Sequence, residues 1–217
     1  MPPPRMIFVA GPPGGGKSSA LSIKQLGIDW FNADDRAAEL NAGSYHKISP
    51  AIRETVGAEL ERFILSHIDA RLDFAFETTL RSGITFKQTQ LAHANGFHIT
   101  MVYVAAGPVE EHIRRVANRA DLGQHSASEA KIRDIYEKSM VNLVTAFHEH
   151  EEHRIDFLRI FDNSRLWQPP RVVLEMQRGE AINLDASIPE WLETALNGSA
   201  FSISAIRKAF LLKGRGE

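Results

Sequence analysis

Four glycines (Gly11, Gly14, Gly15, Gly16) and two prolines separate an apolar run from a polar one in MIFVAGPPGGGKSSAL, residues 6 to 21. Glycine weakens helix and strand interiors alike, so this density needs a reason other than packing. Gly11, Gly16, Lys17 and Ser18 match G-x-x-x-x-G-K-[ST]. In that spacing the loop curls so that successive backbone N–H groups face phosphate oxygens, and side chains would obstruct the approach. Gly11, Pro12, Pro13, Gly14, Gly15, Gly16, Lys17, Ser18 and Ser19 together form the expected cradle for ATP. The Lys17 ammonium can reach the β- and γ-phosphates, the Ser18 hydroxyl can ligate Mg²⁺, and a helix from Lys17 adds its positive end. The plainer alternative is a chance match, which a glycine-rich turn produces in roughly one chain in a hundred. Against it, the motif sits between an apolar strand and a helix, as phosphate binding requires.

Three further polar groups fall at predicted strand ends: Asn32 to Asp35, Glu77 to Arg81, and Asp162 to Ser164. An aspartate beside the phosphates could hold Mg²⁺ through water or take a proton from an attacking hydroxyl. Asp34 and Asp35 compete for that role, and Asp35 is the expected N-cap of the next helix. Glu77 suits a contact to substrate hydroxyls or a structural ion pair. Arg114, Arg115, Arg119, Arg133 and Lys138 could close over a transferring phosphoryl group or form a solvated helical face. Asn163 and Arg165 follow the fifth strand and are expected near the nucleotide base. The run FHEHEEHR lacks an H-E-x-x-H signature and is expected to be a solvated helix end, not a zinc site.

Placing these groups requires strands that end near one another. Strand candidates at residues 6–10, 28–35 (IDWFNADD, ending in polar residues), 73–80 (DFAFETTL), 97–106 (FHITMVYVAA) and 157–164 (FLRIFDNS) alternate with helical patterns. A helix is expected from Lys17 to Leu26. Another, carrying Ile52, Val56, Leu60, Phe63, Ile64, Ile68 and Leu72, is capped by Ser49 with Pro50 at its first position. Gly96 is placed to stop a helix ending near Asn95. Ser126 and Glu129 fit a capping box before a helix with Ile132, Ile135, Met140, Leu143, Val144 and Phe147 on one stripe. This alternation predicts a doubly wound α/β fold with a mainly parallel, five-stranded sheet covered on both faces. Ligands of such sheets gather beyond the strands' carboxyl ends. Residues 1–165 form the expected core; 166–217 form a small accessory segment, an edge hairpin (RVVLEM, EAINL) and two short helices. The terminal AIRKAFLLKGRGE is expected to be a helix packed on the core.

The 217 residues suit one globular domain. The formal net charge of −2 gives no polycationic signal, so no nucleic-acid partner is expected. The absence of cysteine excludes disulfides, thiolate nucleophiles and cysteine zinc sites. No apolar run approaches the roughly 18 residues of a membrane span, and MPPPR lacks a secretory signal. No membrane association is expected, and the cytoplasm, where ATP is available, is the expected location.

The motifs AGPPGGGKSS, FNADD, FAFETTLRS, GFHITMVYVAA, RVANRADLGQHSASEAKIRDIYEKSMVNL and FDNS occur in that order. Over about residues 5 to 165 this pattern resembles the zeta toxin family of P-loop kinases. The combination of N-A-D, F-E-T-T and the arginine-rich segment is far more specific than the P-loop. The resemblance implies a P-loop kinase fold and transfer of the ATP γ-phosphate to a sugar hydroxyl of a UDP-N-acetylhexosamine such as UDP-N-acetylglucosamine. It further implies Asp34 as the base, Glu77 as a substrate contact, and Arg119 and Arg133 as the phosphate-stabilising pair. Thr78 and Arg81 would lie along the substrate groove, and an antitoxin protein would be a further partner. In place of the run of arginines that many relatives carry before the tyrosine, Arg133 is followed by Asp134 and Ile135. Two other readings remain open at this level. One is a kinase for another hydroxylated acceptor, an antibiotic or a different sugar; the other is a non-catalytic ATP-binding module working through a partner.

Overall fold

The computed structural model describes residues 2–121, 127–165 and 167–213. The parallel strands are β1 (Arg5–Ala10), β2 (Asp29–Phe31), β3 (Phe74–Thr78), β4 (His98–Ala105) and β5 (Phe157–Asp162). Two more, β6 (Arg171–Gln177) and β7 (Glu180–Leu184), pair antiparallel beyond β5. The order is β2-β3-β1-β4-β5-β6-β7. The sheet therefore has seven strands, not the five expected, and is mixed. The physical reason lies at Arg178-Gly179. Both residues have positive φ, 52° and 82°, as a two-residue hairpin turn with native twist demands. The hairpin so formed extends the sheet and buries Val173, Leu174 and Met176 in the main core.

Alternation along the strands fills both faces. Phe8, Phe76 and Met101 point into the larger core, while their neighbours Val9, Ala75 and Val102 form a second cluster with Ile23 on the opposite face. The larger core is closed by α3 (Pro50–Ala70), α4 (Ile84–Ala94), α6 (Glu129–Glu151), α7 (Glu190–Leu196) and α8 (Ile203–Lys213).

The local signals at α3 act as expected: Ser49 accepts from the Ile52 amide at 3.2 Å, with Pro50 beginning the helix. Gly96, at φ 73°, follows α4. Elsewhere the chain departs from expectation. Residues 17–26 are not one helix. A single turn, α1 (Lys17–Ala20), gives way to extended backbone at Leu21 and a 3-10 turn at Ile23–Gln25. That break lets Ile23, 1% exposed, turn into the second-face cluster, so packing overrides helix propensity. The helix α2 (Ala33–Leu40) is capped by Asn32, not Asp35. Ser126 lies outside the described residues, and α6 is capped by Ser128, which accepts from the Lys131 amide. The FHEHEEHR run is not wholly solvated. Glu149 and His150 are buried, with His150 Nδ1 against the Ile155 carbonyl at 2.6 Å and Nε2 accepting from the Gly179 amide at 3.1 Å. Among the described residues no helix is long and apolar enough to cross a membrane.

Candidate active site

The chain leaves β1 between β3 and β4 and enters the loop Gly11–Gly16 at the point where the strand order reverses. Four of its carbonyls are engaged by donors within the protein. The Gly11 carbonyl accepts from Lys17 Nζ at 3.1 Å, and the Pro12 carbonyl from the Gly15 amide at 3.2 Å. The Pro13 carbonyl lies 2.7 Å from His112 Nδ1, and the Gly15 carbonyl accepts from Asn163 Nδ2 at 3.0 Å. With the carbonyls fixed, the amides of Gly14, Gly16, Lys17 and Ser18 have no protein acceptor among the described residues. Successive N–H groups left open in a glycine-rich turn are the kind of arrangement that can accept an anion. The neighbours also explain two of the glycines. Gly14 and Gly16 have φ of 79° and 91°, and a Cβ would meet the His112 backbone at the first and collide with the Asn163 amide at the second.

The loop opens on a cleft of about 1380 Å³, well above the ~300–1,000 Å³ of an ordinary small-ligand pocket and in keeping with two substrates. Pro13, Gly14, Gly16, Lys17, Ser18 and Ser19 line it, while Gly11, Pro12 and Gly15 are buried beneath. Asp34, Glu77, Thr78, Arg81 and Arg119 line the same cleft. Glu77 pairs in register with Val9, two residues before Gly11, which sets it beside the root of the loop. Burial pushes the Lys17 ammonium below its usual pKa, opposed by the carboxylates of Glu77 and Asp34 and reinforced by Arg119. The same burial raises Glu77, against the pull of Lys17. Burial also lowers the Arg119 guanidinium, opposed by Asp34. These four groups thus sense one another across one site.

The two competing aspartates separate cleanly. Asn32 Oδ1 accepts from the Asp34 and Asp35 amides at 2.9 and 3.2 Å and fixes the first turn of α2. Asp35 is then engaged by Lys24 Nζ at 2.9 Å and the Tyr45 hydroxyl at 2.9 Å. It is a brace, whereas Asp34 acts electrostatically on Lys17 and Arg119 in the cleft. Thr78 is structural in part, its Oγ1 accepting from the Leu80 amide at 3.1 Å.

Arg133 does not reach the cleft. It is exposed, bonded to Glu129 at 2.7 Å and Glu110 at 2.9 Å. Ser128, Lys131 and Ile135 of the same segment do line the cleft. Residues at that spacing share one helix face, and Arg133, two residues from Lys131, points the opposite way. The other helix of the pair, α5 (Val109–Asp121), supplies Arg119 together with Arg115, whose Nη2 donates to the Asn163 carbonyl at 2.8 Å. Asn163 and Arg165 both line the cleft. Asp162, 4% exposed, anchors the strand end before them by accepting from Trp191 Nε1 at 3.0 Å and Arg171 Nε at 3.2 Å. Sequence reasoning missed His112, Tyr45 and Lys131, none of which carries a local motif.

Among the described residues no cluster of three or more metal-ligating side chains forms a metal site. Mg²⁺ that arrives on a triphosphate needs none, because it keeps its waters and takes one or two protein oxygens. The exposed Ser18 hydroxyl and the carboxylate of Asp34 fit that requirement.

The sequence model of the zeta toxin family matches residues 2–168. The chain belongs to the zeta toxin family. No curated protein matches it in sequence. Among solved structures, this zeta toxin family member is similar to that of the PezAT chromosomal toxin–antitoxin system of Streptococcus pneumoniae. The TM-score is 0.60 at 16% identity, over 100% of this chain and 86% of that one. The native AvrRxo1-ORF1:-ORF2 complex gives 0.69 at 15% identity, over 91% of this chain and 65% of that one. The same complex with ATP gives 0.65 at 16% identity, over 88% and 62%. At these identities the likeness is one of fold, an α/β fold of the P-loop kinase type.

Proposed function

We propose that this protein is an ATP-dependent kinase that transfers the γ-phosphate to a hydroxyl of a nucleotide sugar such as UDP-N-acetylglucosamine, acting as a toxin restrained by an antitoxin in the cytoplasm. The observation that carries the kinase reading is the single cleft in which Lys17 and the open loop amides face Asp34, Glu77 and Arg119. Family membership supports the acceptor class and the antitoxin. The ATP complex and the toxin–antitoxin neighbour support the nucleotide and the kind of partner.

On this reading the loop amides and Lys17 hold the β- and γ-phosphates. Glu77, Thr78 and Arg81, which line the same cleft, orient the acceptor. Asp34 accepts the proton as the acceptor oxygen forms its bond to the γ-phosphorus, the bond from that phosphorus to the β–γ bridging oxygen breaks, and ADP leaves. Arg119 stabilises the charge spread over the phosphoryl oxygens. Bound Mg²⁺, held at Ser18 and near Asp34, would neutralise phosphate charge.

The test is ADP release from Mg·ATP with mass analysis of products across UDP-sugars, aminoglycosides, chloramphenicol and nucleosides. A UDP-N-acetylhexosamine gaining one phosphate supports the reading. A different phosphorylated compound replaces the acceptor, and ATP binding without any product points to a non-catalytic module.

A further inference from the structure

His112 lies in α5, is 0% exposed, and touches no part of the chemistry described above. Both ring nitrogens are committed. Nε2 receives the Ala106 amide at 3.1 Å, and a backbone N–H can only donate, so Nε2 is the unprotonated acceptor. The proton is therefore on Nδ1, which donates to the Pro13 carbonyl at 2.7 Å. One neutral imidazole of fixed tautomer thus joins the end of β4 to the phosphate loop, with His112 and Pro13 99 residues apart in sequence. The ring is held edge-on by Tyr136 of α6, centroids 5.1 Å apart, whose hydroxyl donates to the Gly107 carbonyl at 3.0 Å. Gly14 has no side chain where it packs on the His112 backbone.

We propose that His112 is a positioning residue for nucleotide binding: by pinning the Pro13 carbonyl outward it turns the amide that follows, that of Gly14, toward the phosphates. The backbone accounts for this directly. A peptide carbonyl and the next residue's N–H point in opposite directions across one rigid plane, so holding the Pro13 carbonyl sets the direction of the Gly14 amide. Without a donor, that carbonyl is left unpaired against the protein and the plane is free to rotate. The inference rests on the ATP-binding reading above, but it concerns the empty loop as much as the occupied one.

Two substitutions separate the two bonds. In His112→Asn the side-chain amide nitrogen occupies the place of Nδ1 and can keep the Pro13 bond. In His112→Gln the terminal oxygen occupies the place of Nε2 and can keep only the Ala106 bond. Each loses one buried hydrogen bond, so a merely structural role lowers both melting temperatures and leaves nucleotide affinity alike. The proposal expects Mg·ATP affinity to fall roughly tenfold in His112→Gln and to stay within about threefold of wild type in His112→Asn. It also expects faster amide hydrogen exchange over residues 11–18 in nucleotide-free His112→Gln alone. Equal affinities and equal exchange in the two variants would overturn it. Because exchange is read without nucleotide, selective acceleration in His112→Gln beside a wild type that binds no ATP would uphold the positioning role and overturn the proposed function instead.

Discussion

The side-chain amide of Asn163 donates to the Gly15 carbonyl at 3.0 Å, joining residues 148 apart in sequence. The Asn163 carbonyl meanwhile accepts from Arg115 at 2.8 Å. The end of β5 is thus tied both to the phosphate loop and to the helix that carries Arg119. Replacing Asn163 with Ala removes the side-chain tie and leaves the backbone one. The expected outcome is a rise in the KM for ATP of up to about tenfold with little change in kcat, read from steady-state ADP formation.

Arg119 and Arg133 are predicted to behave differently despite their shared family assignment. Arg119 lines the cleft and interacts with Asp34 and Glu77, whereas Arg133 is paired with Glu110 and Glu129 at the surface. Arg119→Ala should lower kcat by about 10²–10³-fold, the usual scale for losing one charge-stabilising donor. Arg133→Ala should leave kcat unchanged. Lys131→Ala, on the cleft-facing side of α6, should raise a KM instead. A large loss in Arg133→Ala would show that α6 turns during turnover.

Much of this was written locally and could be read from the chain. The glycine-rich loop motif, the Ser49–Pro50 helix start and the alternation of apolar strand runs with helical ones depend on neighbours a few residues apart. What failed was set by contacts at long range or by helical phase. Asn32, Asp34 and Asp35 are all residue types that cap helices; in the fold Asn32 takes the cap, and Asp35 is drawn to Lys24 and Tyr45 from other parts of the chain. Arg133 and Lys131 differ by two residues on one helix, and nothing in composition says which face meets the cleft. The helix expected from Lys17 to Leu26 breaks because Ile23 gains more by packing on the sheet. His112 and Asn163 reach the loop across 99 and 148 residues, distances over which a single sequence carries no signal.

The burial of His112 has a consequence for stability against pH. Burial, reinforced by the nearby Lys17 and Arg115 charges, pushes its pKa down to about 4 from 6.5, and the bond to Pro13 opposes this only in part. Between those values the unfolded chain binds a proton that the folded one refuses, so stability is complete above about pH 6.5 and falls as the pH drops toward 4. The expected loss is about 3 kcal/mol over that range, at about 1.4 kcal/mol per pH unit of displacement. Denaturant unfolding of wild type and His112→Asn at pH 7 and pH 4.5 checks it. The variant should lack this part of the pH dependence.

The most direct test compares wild type with Asp34→Asn for both Mg·ATP affinity and acceptor-dependent ADP formation. Asp34 shares the cleft with Lys17 and sits at the start of α2 with its backbone fixed by Asn32, so the amide should keep the local fold while removing the carboxylate. The account predicts ATP affinity within a few-fold of wild type and a turnover about 10²–10⁴-fold lower. Turnover at the wild-type rate in Asp34→Asn would contradict the assignment of the proton to Asp34, and with it the central claim about how this cleft transfers phosphate.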